Sequence, residues 1–444
     1  MKIEISDHFT LKKLLIFTFP SILMMLFTSI YIIADGYFVS NYAGKTSLAA
    51  VNFAYPVVMI MGCIGFMFGT GGSALISKRL GEQKEKEANN IFSMIVIVSI
   101  VLGLILQVLG FIFMPQIASL MGAKEKLLEE TIIYGRILLS TLVFYILQYE
   151  FQCLMVTAGK PKLGLYITVL SGLTNVFFDW LFIAILKWGI VGGAIATSMS
   201  QIAGGLVPFI YFCKKNNDAL IHISFRFSLD KSSLFKTISN GCSEFLGNIS
   251  SSLVGALYNL QLLKYLGEDG IAAYGVIMYV NIIFFSIFIG YSVGVAPVIS
   301  YNYGAKNKAE LKSLVRTSFV VMTVSALFMY GLARILAMPL ARLFVGYDKV
   351  LTQFTYSAFN IFALSFLFCG FSGFSSSLFT ALNNGIVSGV LSVLRLFVFQ
   401  ALCVIILPLI VGAEGIWYAN VLAEVLALIV SIFFVLKNKK RYGY

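Results

Sequence analysis

The stretch Ile30–Phe38, IYIIADGYF, decides the fold, because it places Asp35 inside an otherwise apolar run. A second stretch, Asn175–Trp180 (NVFFDW), places Asp179 in the same setting. A carboxylate within a lipid bilayer costs roughly 2.5 to 3.5 kcal/mol, so it persists where it faces the interior of a helix bundle and serves a function. The two aspartates therefore indicate a membrane transporter and are the first candidates for binding its coupling ion.

The composition identifies the surrounding solvent as lipid. Of the 444 residues, 59% are hydrophobic and only 12% are charged, and the mean hydropathy is +0.91. In soluble domains about a quarter of the residues are charged. The chain is therefore expected to be an all-α integral membrane protein.

Apolar runs of about 20 residues predict transmembrane helices. The sequence contains twelve such runs. They cover about 14 to 39, 48 to 76, 91 to 113, 132 to 157, 163 to 186, 192 to 213, 236 to 263, 271 to 300, 313 to 335, 355 to 380, 386 to 410 and 416 to 436.

The distribution of basic residues predicts the orientation. Most of the 32 Lys and Arg residues fall on one side of the membrane if the N-terminus is placed inside, as the positive-inside rule requires. We expect a multi-pass protein of the bacterial inner membrane with both termini in the cytoplasm. The basic loops account for the net charge of +12 without a nucleic-acid partner.

Cysteine and histidine suggest no metal chemistry. The six cysteines lie in apolar runs without close pairs, which is typical of small packing residues. The two histidines, His8 and His222, fall in segments expected to be cytoplasmic. We expect no metal site beyond a Na⁺ site at oxygen ligands, no cofactor other than a coupling ion, and no enzymatic activity.

The chain also contains an internal repeat. A shift of 223 residues brings glycines into coincidence along a whole half: Gly44 with Gly267, Gly81 with Gly304, Gly189 with Gly412 and Gly192 with Gly415. Each half has six spans, so the halves are parallel repeats related by an axis along the membrane normal. We predict an N-terminal lobe over 1–213, a cytoplasmic linker over 214–235 and a C-terminal lobe over 236–444.

Four polar residues of the first lobe are predicted to share one layer in the outer half of the membrane. Asp35, Asp179 and Thr197 differ in depth by only about 5 Å at 1.5 Å per residue. Asn175 precedes Asp179 by one helical turn and shares its face. Carboxylate, amide and hydroxyl oxygens suit Na⁺, but two carboxylates in a dry layer are equally suited to share a proton. We expect the driving ion to be at least partly the proton, with a bend at Pro20 as the response.

The second lobe carries different charges, predicted to meet in the inner half of the membrane: Glu244, Arg395 and Glu424. A buried arginine requires an anionic partner. The set is interpreted either as a structural ion pair or as part of coupling and substrate binding. Glu150 has two interpretations as well, a residue lining the cavity or one that holds helices together.

These residues resemble the multidrug and toxic compound extrusion (MATE) transporters over nearly the whole chain. The resemblance rests on twelve spans in two parallel halves, on Phe19-Pro20, Asp35-Gly36 and Leu48-Ala49-Ala50, on Gly81, and on the Tyr134-Gly135-Arg136-Ile137 opening of the fourth span. The first-lobe set matches the cation site of the DinF-like branch, and Cys242 to Phe245 with Arg395 are similar to the MepA-like subgroup. The seventh span departs from the family, since its usual Gly-x-Pro opening is Gly241-Cys242-Ser243 here.

The resemblance implies a secondary active transporter that exports organic cations or drugs by H⁺ or Na⁺ antiport with alternating access, expected to work as a monomer. The main alternative is a lipid-linked oligosaccharide flippase of the same superfamily, although such a protein would be expected to carry several cationic residues in its cavity. A major facilitator transporter is disfavoured because the loop Lys78–Glu82 lacks the Gly-x-x-x-Asp-Arg motif. An intramembrane aspartyl protease is disfavoured because Asp179 is not preceded by Gly-x-Gly.

Overall fold

The computed structural model describes residues 3–214, 219–225 and 227–444. These ranges contain ten helices that are long and apolar enough to cross a membrane, or eleven if the bent pair Glu125–Leu139 and Leu142–Thr157 forms one span. One of the ten, Lys231–Gly304, has 74 residues and breaks at Gly267, where φ is 65° and ψ is −153°. Dividing it there gives twelve spans, which confirms the predicted all-α membrane fold.

The spans are numbered α1 to α12 in chain order. Their bounds are Leu11–Ala43 (α1), Lys45–Gly81 (α2), Glu85–Leu120 (α3), Glu125–Leu139 with Leu142–Thr157 (α4), Pro161–Ile185 (α5), Gly189–Cys213 (α6), 231–266 (α7), 268–304 (α8), Lys308–Val345 (α9), Lys349–Ala381 (α10), Gly385–Val411 (α11) and Gly415–Tyr442 (α12).

The helices extend beyond the apolar runs that predicted them. α3 was expected over 91–113 but begins at Glu85, because acidic residues in the first turn interact favourably with the helix dipole. α7 begins at Lys231, where the Asp230 side chain accepts a hydrogen bond from the backbone N–H of Ser232 at 3.0 Å. The linker expected over 214–235 therefore ends at Asp230. Its residues 215–218 and 226 lie outside the described part of the chain.

Five interruptions of regular helix were not predicted, one of them the 3₁₀-helical segment Ala363–Ser365 within α10. The two halves of α4 meet at 57° across Ser140 and Thr141. α1, α5 and α11 each contain a π-helical segment, over Val39–Ala43, Trp180–Ile185 and Leu394–Phe399. Segments of this kind occur mostly at functional sites, since they rotate the following side chains and alter the backbone hydrogen bonding.

Both ends of the chain lie on one face of the bundle, which we call the terminal face. The Glu310 carboxylate, at the start of α9, accepts hydrogen bonds from the Phe9 backbone N–H at 2.8 Å and from His8 Nδ1 at 2.6 Å. At the other end of the chain, Tyr442 Oη accepts a hydrogen bond from Asn384 Nδ2 at 2.9 Å. The N-terminal segment is therefore attached to the second lobe, although α1 belongs to the first.

Glycines bring the two lobes into backbone contact towards the terminal face. A Cβ atom at Gly241 of α7 would overlap the carbonyl group of Met67 on α2, and one at Gly71 would overlap the carbonyl oxygen of Thr237. The repeat-equivalent contact joins Gly294 of α8 to α1, where a Cβ would lie 3.0 Å from the Thr18 side chain. Positions 71 and 294, like 18 and 241, differ by 223.

One pair of glycines lies on the pseudo-two-fold axis itself. A Cβ atom at Gly81 would overlap the Tyr301 carbonyl oxygen, and one at Gly304 would overlap the Lys78 carbonyl oxygen. These two glycines are exchanged by the 223-residue shift. The ends of α2 and α8 therefore meet at the terminal face through backbone rather than side-chain contact. We call the backbone contacts between the lobes at Gly71, Gly81, Gly241 and Gly304 the seal.

We predict that Gly241→Ala destabilises this seal. The added methyl group must separate α7 from α2, and overpacking of this kind costs about 1 to 3 kcal/mol. The measurement is the apparent melting temperature of the purified protein in detergent. The control is Gly255→Ala on the same helix, where a Cβ would have no atom within 4 Å. Equal losses in the two variants would contradict the prediction.

Candidate functional site

Asp35 and Asp179 face each other in the first lobe. Asp35 lies on α1 and is partly buried, whereas Asp179 lies on α5 and is fully buried. Their carboxyl groups are close enough to interact electrostatically with each other. Two ionised carboxylates about 4 Å apart repel by about 4 kcal/mol at an effective dielectric constant of about 20. The pair therefore needs a shared proton or a bound cation.

Thr197 and Asn175 complete the predicted set. The Thr197 hydroxyl on α6 donates a hydrogen bond to Asp35 Oδ1 at 3.3 Å. Asn175 lies beside Asp35, one turn before Asp179, and is almost fully buried. Within the described residues, neither polar atom of Asn175 and neither oxygen of Asp179 has a hydrogen-bond partner. Such groups are costly in the interior of a protein, so the site is arranged to accept a ligand.

The site opens into a small cavity of about 40 Å³. A water molecule needs roughly 10 to 15 Å³ of such volume, so the cavity has room for a cation with a water ligand and excludes a drug-sized molecule. Eight of its lining residues were not predicted from the sequence: Tyr31, Ile32, Tyr55, Tyr145, Gln148, Tyr149, Ser200 and Gln201. Gln148 could have been identified from the sequence, because it is a polar residue within an apolar run. The tyrosines resemble packing residues, so the sequence does not mark them as part of a site.

The local backbone explains how the aspartates are positioned. Asp179 is the last residue of the regular part of α5, and the π-helical segment Trp180–Ile185 follows directly. α1 likewise changes to π-helix four residues after Asp35, over Val39–Ala43. The two aspartates thus lie at the ends of regular helices, where a small rearrangement of the backbone moves their carboxylates.

A larger cavity of about 160 Å³ lies between the lobes. The first lobe contributes Phe66 and Thr70 from α2 and Cys153 from α4 to the lining of this cavity. α7, α8, α10 and α11 supply most of the remaining lining, including Glu244 and Arg395. None of the residues that line the aspartate site also lines this cavity, so the two sites are separate.

The structure joins two of the three second-lobe charges. Arg395 Nε donates to both carboxylate oxygens of Glu424 at 3.0 Å, and the Ser372 hydroxyl donates to Oε2 at 2.8 Å. The guanidinium group also lies 5.0 Å from the centre of the Phe285 ring, which is a favourable cation–π distance. Glu244 lines the same cavity as Arg395, but no ion pair joins it to a basic residue in the described ranges.

Glu150 does not line the central cavity. Its side chain is completely buried, with both oxygens lacking a hydrogen-bond partner among the described residues. Its backbone packs against α2, where a Cβ at Gly69 would lie 3.1 Å from the Glu150 Cα atom. The cavity interpretation of Glu150 is therefore not supported, because α4 directs this residue into the first lobe.

Comparison with known proteins adds independent information. The MatE family model matches the chain twice, over residues 20–181 and 245–406, so the match itself follows the internal repeat. The multidrug export protein MepA of Staphylococcus haemolyticus (strain JCSC1435) is 25% identical over 97% of this chain and 94% of its own length. MepA of Staphylococcus aureus (strain MRSA252) is 25% identical over 96% and 93%.

Solved structures share the fold. A crystal structure of MATE in complex with MaL6 superposes with a TM-score of 0.92 at 23% identity, covering 98% of both chains. An outward-facing MATE transporter of the MOP superfamily gives 0.92 at 24% identity, covering 98% of this chain and 97% of its own. Since the family model covers more than half of the sequence, the chain belongs to the MatE family of multidrug efflux transporters.

Proposed function

We propose that this protein exports organic cations and related xenobiotics by antiport with H⁺ or Na⁺, and that the proton supplies at least part of the driving force. The observation that carries the proposal is the pair of facing carboxylates, Asp35 and Asp179, to which the described residues supply no neutralising ion pair. The substrate class is supported by its relative MepA, which is named a multidrug export protein.

In the proposed cycle the terminal face is the cytoplasmic side, as the basic loops predict. A proton or Na⁺ entering from the opposite side neutralises the Asp35/Asp179 pair and removes the repulsion between α1 and α5. α1 then bends at Pro20, which lacks the N–H that would bond the Ile16 carbonyl. Because α1 also contacts α8 through Thr18 and Gly294, its bending disturbs the seal of the terminal face and admits substrate from the cytoplasm.

The flippase alternative receives less support from the arrangement of charges. A pyrophosphate-linked substrate requires unpaired cationic groups in the cavity, whereas Arg395 is engaged by Glu424 through two contacts. A cavity that also exposes Glu244 is better suited to a cation than to a polyanion.

Transport in proteoliposomes tests the coupling. With a pH gradient alone, we expect uphill movement of a fluorescent organic cation, because protons bind the carboxylate pair. With a Na⁺ gradient alone and equal pH on both sides, we expect a weaker signal that still depends on pH between about 6 and 8. Full transport on the Na⁺ gradient with no dependence on pH would exclude the proton.

Asp35→Asn is expected to abolish coupled export while the protein still inserts, since removal of a charge from an apolar span makes insertion easier. The measurement is drug resistance of cells together with the amount of protein in the membrane fraction. Asp269→Asn serves as the control, because Asp269 is an exposed residue at the start of α8. Normal resistance in the Asp35→Asn cells at normal protein levels would refute the role of Asp35.

Double-mutant cycles measure which of the second-lobe carboxylates, Glu244 or Glu424, is energetically coupled to Arg395. Glu424→Gln should lower stability by several kcal/mol, because it leaves Arg395 buried and unpaired, and adding Arg395→Met should restore much of the loss. Glu244→Gln should show weaker coupling to Arg395 than Glu424→Gln does, since Glu244 and Arg395 attract each other without forming an ion pair. Thermal unfolding in detergent measures both cycles, and additive effects for Arg395 and Glu424 would contradict the prediction.

A further inference from the structure

Two grooves at the level of the terminal face are related by the internal repeat. The first groove, of about 500 Å³, lies between α1 and α5, with Ile16, Pro20, Lys162 and Tyr166 among its lining residues. The second groove, of about 620 Å³, lies between α7 and α11, with Ser239, Gly385 and Gly389 among its lining residues. The 223-residue shift carries Ile16 to Ser239, Lys162 to Gly385 and Tyr166 to Gly389. The grooves are therefore equivalent in position but not in chemistry.

The first groove combines an apolar wall with basic residues at one end. Lys160 and Lys162 lie at the start of α5, whereas the described lining of the second groove contains no charged residue. Tyr166 lies about 6 Å deeper than Lys162 along α5, at 1.5 Å per residue, and a tyrosine at this level is typical of the membrane interface. The charge of the first groove therefore sits at headgroup depth and its apolar wall at acyl-chain depth.

The first groove is open to the lipid. Ile16 is 51% exposed and Tyr166 is 67% exposed, although both lie in membrane-spanning helices. A groove in this position is filled by lipid acyl chains, and the lysines at its end complement a negative headgroup. An organic cation would be repelled by the same lysines.

We propose that the first groove is a binding site for an anionic phospholipid, with the phosphate group at Lys162 and Lys160 and an acyl chain along Ile16, Pro20 and Leu163. The second groove accepts acyl chains without selecting for headgroup charge. The site lies beside Pro20 and the Ile16 carbonyl that Pro20 leaves unbonded. Its occupant therefore contacts the bending point of α1, the helix that carries Asp35.

Native mass spectrometry tests the proposal on the full-length protein. Wild type is incubated with equal amounts of phosphatidylglycerol and phosphatidylcholine of identical acyl chains, and the ratio of the two bound lipids is measured. Lys162→Gln should lower the phosphatidylglycerol preference about fivefold, which corresponds to about 1 kcal/mol for one lysine near a headgroup. Lys162→Arg should retain it. Ile16→Trp, which fills the groove, should reduce the binding of both lipids.

The repeat supplies the matched control. Lys236 is exposed on the same face beside Phe235, which lines the second groove, and Lys236→Gln removes the same charge without touching the first groove. This variant should leave the lipid ratio unchanged. An unchanged ratio in Lys162→Gln, or an equal fall in Lys236→Gln, would overturn the proposal. If the wild type formed a dimer that Ile16→Trp abolished while the lipid ratio stayed unchanged, the proposal would also be overturned, because the groove would then hold a second copy of the chain.

Discussion

The backbone contact between the lobes is the constraint on which the rest of the structure depends. Lipid is as apolar as a leucine side chain, so helices in a membrane gain little from the hydrophobic effect and associate through close packing of small residues. Gly71, Gly81, Gly241 and Gly304 allow this packing, because at each of them a Cβ would overlap backbone atoms of the other lobe. These contacts hold α7 and α8 of the second lobe against α2 of the first.

The first lobe carries a charge arrangement that is unstable without a ligand, and the second carries one that is satisfied. Asp35 and Asp179 face each other with no ion pair to a basic residue in the part of the chain that the structure describes, whereas Arg395 meets Glu424 at 3.0 Å and Ser372 adds a further hydrogen bond. A buried pair that is already neutral gains little from a cation, but two facing carboxylates gain a great deal. The asymmetry therefore favours the first lobe as the place where the ion acts.

Much of the fold follows from the sequence, because apolar runs of membrane length and coincident glycines are strong signals. The runs predicted all twelve spans, and the order of polar residues predicted that Thr197 would approach Asp35. The bend between Ser140 and Thr141 and the three π-helical segments were not predicted, since they depend on tertiary packing rather than on local composition. Glu150 and Glu244 show a further limit: a charge in an apolar run indicates burial, but depth alone does not say which neighbour it faces.

The separation of the aspartate site from the central cavity affects how the substrate range of the protein can evolve. Since no described residue lines both, the proposed function implies that substitutions in the cavity alter which compounds fit while the proposed ion ligands stay intact. Selection by a new toxic compound could then act on Phe66, Asn248 or Phe288 without loss of ion coupling. Under that proposal, the range of exported compounds evolves independently of the coupling ion.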